Sequence, residues 1–461
     1  MRSPSSSVPR LLRAACVATA LDALALAGCI GVAGNPAPVD RAVFPTGLAL
    51  DPAGDRLVVV SSNFDLAYDD GAVLLVDLAK VRAAASATPA PNVTAPVVVT
   101  DAVVDAVALP SFGDAPVIDR TGRHVLLTTR GGNLLHELVL GTDGLSCDAA
   151  GDGGEDVQDG DGPPCASPPH ALQLASNDPF DVVLLEQTVS ADGALTGARA
   201  LVTHLSSATA ELVRLDPGRV DEARLRVERA PVVFGDDVFG VRSAVFVPAV
   251  SGHPDRVVAL LERRLERTIV GCDLAVFAVP AADRGDAVVI SRTDVTALTG
   301  ALTGRDLVVV GDGAAGGSLA AIVALRSPDA VARFALDDVV GSFTLTHIDG
   351  TCRKPTGLAT AVVDVDGDPA TAGTPRVLLT CQDGQVVESL DPLDLSVTDA
   401  VRFLGRSPYD VVVDEVHQQA FVSFFLDGSV GVLSLVSGGR AQLTPVARIG
   451  SALPRPEDGR E

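Results

Sequence analysis

The feature that most constrains the fold is a strand opening that returns along the chain: a proline, one residue, then glycine or aspartate ahead of an apolar run. It stands as Pro45-Thr46-Gly47-Leu48-Ala49, Pro179-Phe180-Asp181-Val182, Lys354-Pro355-Thr356-Gly357-Leu358-Ala359 and Ser407-Pro408-Tyr409-Asp410-Val411. After the first opening, Asp51-Pro52-Ala53-Gly54-Asp55 makes a turn. Two apolar runs follow, 57–60 and 72–76, separated by polar residues and glycine, which is the pattern of a hairpin.

This unit repeats in degraded form. The first copy places strands at 46–50, 56–62, 71–77 and 96–100, with an Ala- and Pro-rich linker over 78–95. The second runs from Ala115-Pro116-Val117-Ile118-Asp119 through 125–129 and 134–140, followed by an acidic insertion between Cys147 and Cys165. Further copies begin near 179, 241, 306, 354 and 407. About seven units, each of three to four short antiparallel strands, predict an all-β chain folded as a β-propeller over 43–450. A pair of β-sandwiches is the alternative, but it leaves the recurrent openings without a reason. Small residues such as Gly47, Ala49, Gly357 and Ala359 suit an inner strand crowded at the channel.

The motifs Pro45-Thr46-Gly47-Leu48-Ala49 and Leu57-Val58-Val59-Val60, with 73–78 and the closing 407–435, resemble the YncE/YVTN-type β-propellers of bacteria. The resemblance spans most of the chain after residue 42 and implies the fold; its motifs carry no catalytic chemistry.

The first 28 residues read as a secretion signal, with Arg2, Arg10 and Arg13 ahead of a small apolar stretch. They end in Leu26-Ala27-Gly28-Cys29, which resembles the bacterial lipobox and marks Cys29 for acylation. Ile30 after it implies outer-membrane sorting, on the periplasmic or surface side. Residues 29–42 form a tether and 451–461 a tail. A net charge of −24 speaks against a nucleic-acid partner.

In an oxidising compartment the cysteines pair. Cys147 with Cys165 closes the acidic insertion. Cys352, before the first strand of the sixth unit, lies within reach of Cys381 at the end of its second, which leaves Cys272 over. No cofactor is required, with Ca²⁺ the one candidate. The acidic insertion could take it, as could Asp364, Asp366 and Asp368, which resemble the loop of FG-GAP propellers; a plain turn is the simpler reading, since Pro369 breaks the pattern. Histidines are scattered and form no hydrolase motif.

The loops joining second to third strands share a face with the strand openings. They place Asn63, Asp65, Tyr68, Asp69, Asp70, Arg130, Asn133, Asp383 and Asp427 around one channel mouth, with Asp65, Asp69 and Asp70 as the main contacts. The expected function is a lipid-anchored binding or scaffolding module for a protein or glycan. The alternative is a metal-dependent hydrolase or lactonase at the channel.

Overall fold

A computed structural model of the chain describes residues 36–87, 96–142, 144–147, 165, 170–219, 223–229, 231–249, 255–265, 268–279, 288–311, 319–337, 341–367, 373–402 and 404–450. The signal, the lipobox Cys29, the acidic residues of the insertion, Asp368 and the C-terminal tail lie outside the described residues.

The strands form seven antiparallel sheets in chain order, each running from an inner to an outer strand. The inner strands are Pro45–Leu50, Val117–Ile118, Pro179–Val189, Val238–Val247, Thr303–Gly311, Pro355–Val363 and Pro408–Asp414. Each touches the inner strand, or its hairpin partner, in the sheets on either side, and the last returns to the first. The protein is a seven-bladed β-propeller.

The reason lies in the apolar runs. In a strand, successive side chains point to opposite faces, so a run such as Leu57-Val58-Val59-Val60 buries well only if both faces are covered. Leu57 and Val59 pack with Phe421 and Val432 of blade 7. Val58 and Val60 pack with Val125 and Leu127 of blade 2. Every neighbouring pair of blades shares one such cluster. The core is therefore seven layers between blades. A pair of sandwiches would expose one face of every sheet.

Blade 1 corrects one expectation and decides a second point, the linker, whose sequence leaves a helical turn or irregular chain open. Its fourth strand is Val103–Leu109, not 96–100. The segment Val97–Val99 crosses the seam and adds a fifth strand to blade 7, parallel to Arg440–Ile449. It covers an open sheet edge that would otherwise invite pairing with another chain. Second, the linker holds a helix, Leu78–Ala87, which buries Leu78 and Val81 against the same seam. Alanine-rich sequence forms helix readily, and the seam supplies the apolar surface that a short helix needs.

Candidate functional site

The repeated strand opening has one geometry. Phe44, Asp178, Lys354 and Ser407 each precede the opening proline with positive φ, between 50° and 61°. Non-glycine residues rarely adopt this region. The turned carbonyl accepts the amide that follows the second strand: Ser62 to Phe44 at 3.3 Å, Leu205 to Asp178 at 2.9 Å, Gln382 to Lys354 at 2.9 Å, Phe425 to Ser407 at 3.0 Å. Just inside, the inner strands of six blades carry a register shift. The amides freed there are taken by hydroxyls of the second strand: Asp181 N by Thr203, Gly357 N by Thr380, Asp410 N by Ser423. A bulge re-aims the side chains beside it. Residues of the opening are thereby turned out of the ladder, toward the axis and toward the next blade.

The residue at this position alternates around the ring. Asp181, Asp306 and Asp410 occupy it in blades 3, 5 and 7; Ser243, Gly357 and Gly47 occupy it in blades 4, 6 and 1. Each aspartate reaches over its small neighbour and accepts a backbone amide of the following blade: Ala244 at 3.2 Å, Leu358 at 2.7 Å, Leu48 at 2.8 Å. A Cβ on Gly47 would meet Pro116 Cδ at 2.6 Å, and one on Gly357 the Tyr409 carbonyl at 2.7 Å. The small residues thus answer crowding from the next inner strand. Burial raises all three carboxyls, Asp181 and Asp410 to about 7 and Asp306 to about 6, against the amides that favour their charge.

The preceding position carries Thr46, Phe180, Arg242, Arg305, Thr356 and Tyr409. Arg305 and Tyr409 interact electrostatically across the mouth, and Arg242 and Arg326 press on Arg305. Burial, then Arg242, lowers the Arg305 guanidinium to about 10. On blade 2, Asp114 lies 3.0 Å from Arg130, and burial outweighs this partner to hold its carboxyl at about 8. An aromatic cluster covers the seam: Phe425 lies 5.0 Å from Phe44, 5.4 Å from Phe64 and 5.6 Å from Tyr409, and Phe64 lies 5.7 Å from Phe112.

The residues expected on this face divide in two. Asn63 is buried and pins its own loop, donating to the Tyr68 carbonyl at 2.7 Å and Ser111 Oγ at 2.9 Å. Asn133 accepts from the amide of Asp178 at 2.9 Å. Asp427 is buried between Arg406 and Arg448. Arg130 is paired with Asp114, and Asp383 binds Lys354 at 2.8 Å. Asp65 and Asp69 are exposed, and Tyr68 and Asp70 half-buried beside them. Burial and the neighbouring Asp69 raise the Asp70 carboxyl.

Asp364 is spent on its own turn, accepting the amides of Asp366 at 3.2 Å and Gly367 at 2.9 Å. Among the described residues, the only three ligand-type side chains within reach of one ion are Cys352, Cys381 and Glu388. Two of them form a disulfide, with Cα atoms 5.8 Å apart. Cys147 and Cys165 form the other, at 5.5 Å, and Cys272 is free and buried.

The arginine and aspartate ring was not singled out from the sequence. In the sequence Tyr409 and Asp410 mark a repeat opening and nothing more, and the apolar runs that define blades 4 and 5 lie just beyond Arg242 and Arg305. A register drawn on the openings would have found them. At the opposite end, a cavity of about 580 Å³ is lined largely by Val308, Val411, Val412, Val413 and Val416 with Asp51 and Asp414.

No protein-family model and no curated protein matches the sequence. Among solved structures, the chain is similar to the Cps50 (Swd1) β-propeller domain of Myceliophteria thermophila, at 10% identity and TM-score 0.52, covering 87% of this chain and 98% of that one. It is similar to the Dos1 propeller at 11% identity and TM-score 0.51, covering 91% and 89%. It is also similar to the periplasmic gluconolactonase PpgL of Pseudomonas aeruginosa, at 16% identity and TM-score 0.49, covering 79% and 87%. At such identities the likeness concerns the fold, and it agrees with the sheet order: this chain is a seven-bladed β-propeller.

Proposed function

We propose that the protein is a lipoprotein of the outer membrane, anchored through Cys29, whose YVTN-type propeller is a binding module that captures a protein partner at the channel mouth. The observation that carries this reading is the rim over the seam between blades 7 and 1. Phe64, Leu66 and Leu426 are exposed by 48%, 60% and 46% around the aromatic cluster, and Asp65, Asp69 and Asp70 stand beside them. Single exposed apolar residues are ordinary, but a contiguous patch edged by charge marks an interaction surface. Its chemistry fits a segment that offers an apolar side chain flanked by lysine or arginine. Neutralising Asp65, Asp69 and Asp70 to Asn, with Phe64→Ala, is expected to abolish partner capture from envelope extracts while the β-rich circular dichroism stays unchanged. If capture survives these changes and is lost when the insertion 148–164 is deleted, the working surface lies elsewhere. The anchor has its own test: wild type enters the detergent phase of a two-phase extraction and Cys29→Ala the aqueous phase. Wild type in the aqueous phase removes the lipoprotein reading.

A hydrolase or lactonase acting at the channel is the second reading, and the observation favouring it is Asp114. Held at about 8 by burial, this carboxyl is largely protonated at neutral pH and placed to act as an acid. Ring opening of aldonolactones by the purified protein, abolished in Asp114→Asn, is the expected result on that reading. No turnover by wild type removes it.

A further inference from the structure

A second feature of the same mouth lies on blades 4 to 7, meets the aromatic rim at Tyr409 and goes beyond the reading above. Arg305 occupies the opening of the blade-5 inner strand. Among the described residues no hydrogen bond or ion pair reaches its guanidinium, and its Nε is shut off from solvent. Nearby carboxylates compensate it only in part: the oxygens of Asp306 accept the amides of Leu307 and Leu358. Arg242 and Arg326 bring further positive charge. Glu262 is already shared: one oxygen is held by Arg242 at 3.1 Å and the other by Arg264 at 2.7 Å. Arg326 is fixed by blade 6, donating to the Pro355 carbonyl and to Thr356 Oγ1, each at 2.8 Å. Tyr409, at the opening of the blade-7 inner strand, interacts electrostatically with Arg305, and among the described residues its hydroxyl takes part in no hydrogen bond.

A half-buried guanidinium with no hydrogen-bond partner of its own is unfavourable, and arginine cannot relieve the cost by losing its proton at neutral pH. The chain as a whole carries −24, yet here cations converge. We infer that Arg305, with Arg242 and Tyr409, forms an oxyanion-binding site in the channel mouth, which takes the carboxylate or phosphate group of a small polar molecule. The guanidinium fork matches two oxygens of such a group, and a phenol beside it supplies a further donor. The bulged inner strands hold these side chains on rigid elements, so the site is formed before the ligand arrives.

The test uses the purified full-length protein titrated with inorganic phosphate and, separately, with glycerate, against sodium chloride of matched ionic strength. One or both probes should raise the thermal midpoint saturably and give a calorimetric binding isotherm. Phosphate alone identifies a phosphorylated ligand, and glycerate alone a carboxylic acid. In Arg305→Met, affinity for that probe should fall about tenfold or more. Without any probe, the same variant should be at least as stable as wild type, because a half-buried charge with no hydrogen-bond partner has been removed. Arg305→Lys, which keeps the charge but loses the fork, should bind with intermediate affinity. Three results overturn the inference: neither probe acts on wild type beyond the chloride control, Arg305→Met binds as wild type does, or Arg305→Met is destabilised or unfolded without ligand. The last would make Arg305 a structural residue.

Discussion

Asp410, on the inner strand of the last blade, accepts a hydrogen bond from the amide of Leu48 on the first, 2.8 Å away and 362 residues earlier in the chain. This contact fastens the ring where its two ends meet. It repeats a device used within the chain, where Asp181 binds the amide of Ala244 and Asp306 that of Leu358.

Removing the Asp410 carboxyl leaves two amides, of Leu48 and Val411, without their acceptor. Asp410→Ala is therefore expected to destabilise the propeller by about 2 kcal/mol. Asp410→Asn keeps one carbonyl acceptor for the two amides and should lose about half of that. Urea unfolding midpoints check the pair, and faster hydrogen exchange at Leu48 in the Ala variant locates the loss at the seam.

The same carboxyls set a pH dependence. In the unfolded chain they titrate near the ordinary aspartate value of 3.8; in the fold Asp306 titrates at about 6 and Asp181 and Asp410 at about 7. Between those values the folded state binds more protons, so its stability falls as pH rises. Buried His136, lowered to about 4, and His204, also lowered by burial, act in the opposite sense. They do so only below about 6.5, since above it both are neutral folded or unfolded. Thermal midpoints should thus fall between pH 6.5 and 8, by on the order of 1 kcal/mol of stability for each of Asp181 and Asp410. A flatter profile in the Asp181→Asn, Asp410→Asn double variant supports the assignment, and an unchanged slope refutes it.

Gly47 stands at a close approach of blade 1 to blade 2. Its substitution by Ala places a methyl 2.7 Å from Ala115 Cα, against backbone that cannot move aside. Gly47→Ala should cost about 1–3 kcal/mol. Gly218→Ala, where a Cβ would meet nothing, should be close to neutral in the same denaturation assay.

The disulfides bound loops of 18 and 29 residues. Loop entropy assigns each about 3 kcal/mol. Replacing Cys352 and Cys381 together by Ala should lower stability by about that amount. Cys272 supplies an internal probe: burial pushes its thiol to about 12, so alkylation should proceed only on unfolding. Rapid alkylation of the native protein would show that blade 4 opens locally.

Much of the fold was legible in the chain itself. The period-2 apolar runs, buried on both faces, and the repeated openings require stacked antiparallel sheets, because local spacing alone decides which side chains share a face. The Cys352–Cys381 pair follows from strand order for the same reason, and Cys147–Cys165 from flanking one insertion. Tertiary structure decided the rest. Val97–Val99 reads as an outer strand of blade 1 by proximity in sequence, yet the open edge of blade 7 offers the better place, an edge that exists only once the ring has closed. Asn63, Asn133 and Asp427 read as exposed loop polarity, and packing of the loops against one another consumes their hydrogen bonds. Arg305 and Tyr409 lie 104 residues apart on unremarkable strand openings. Nothing in the local sequence of either marks them as partners; the closure of seven blades around one axis brings them to the same mouth.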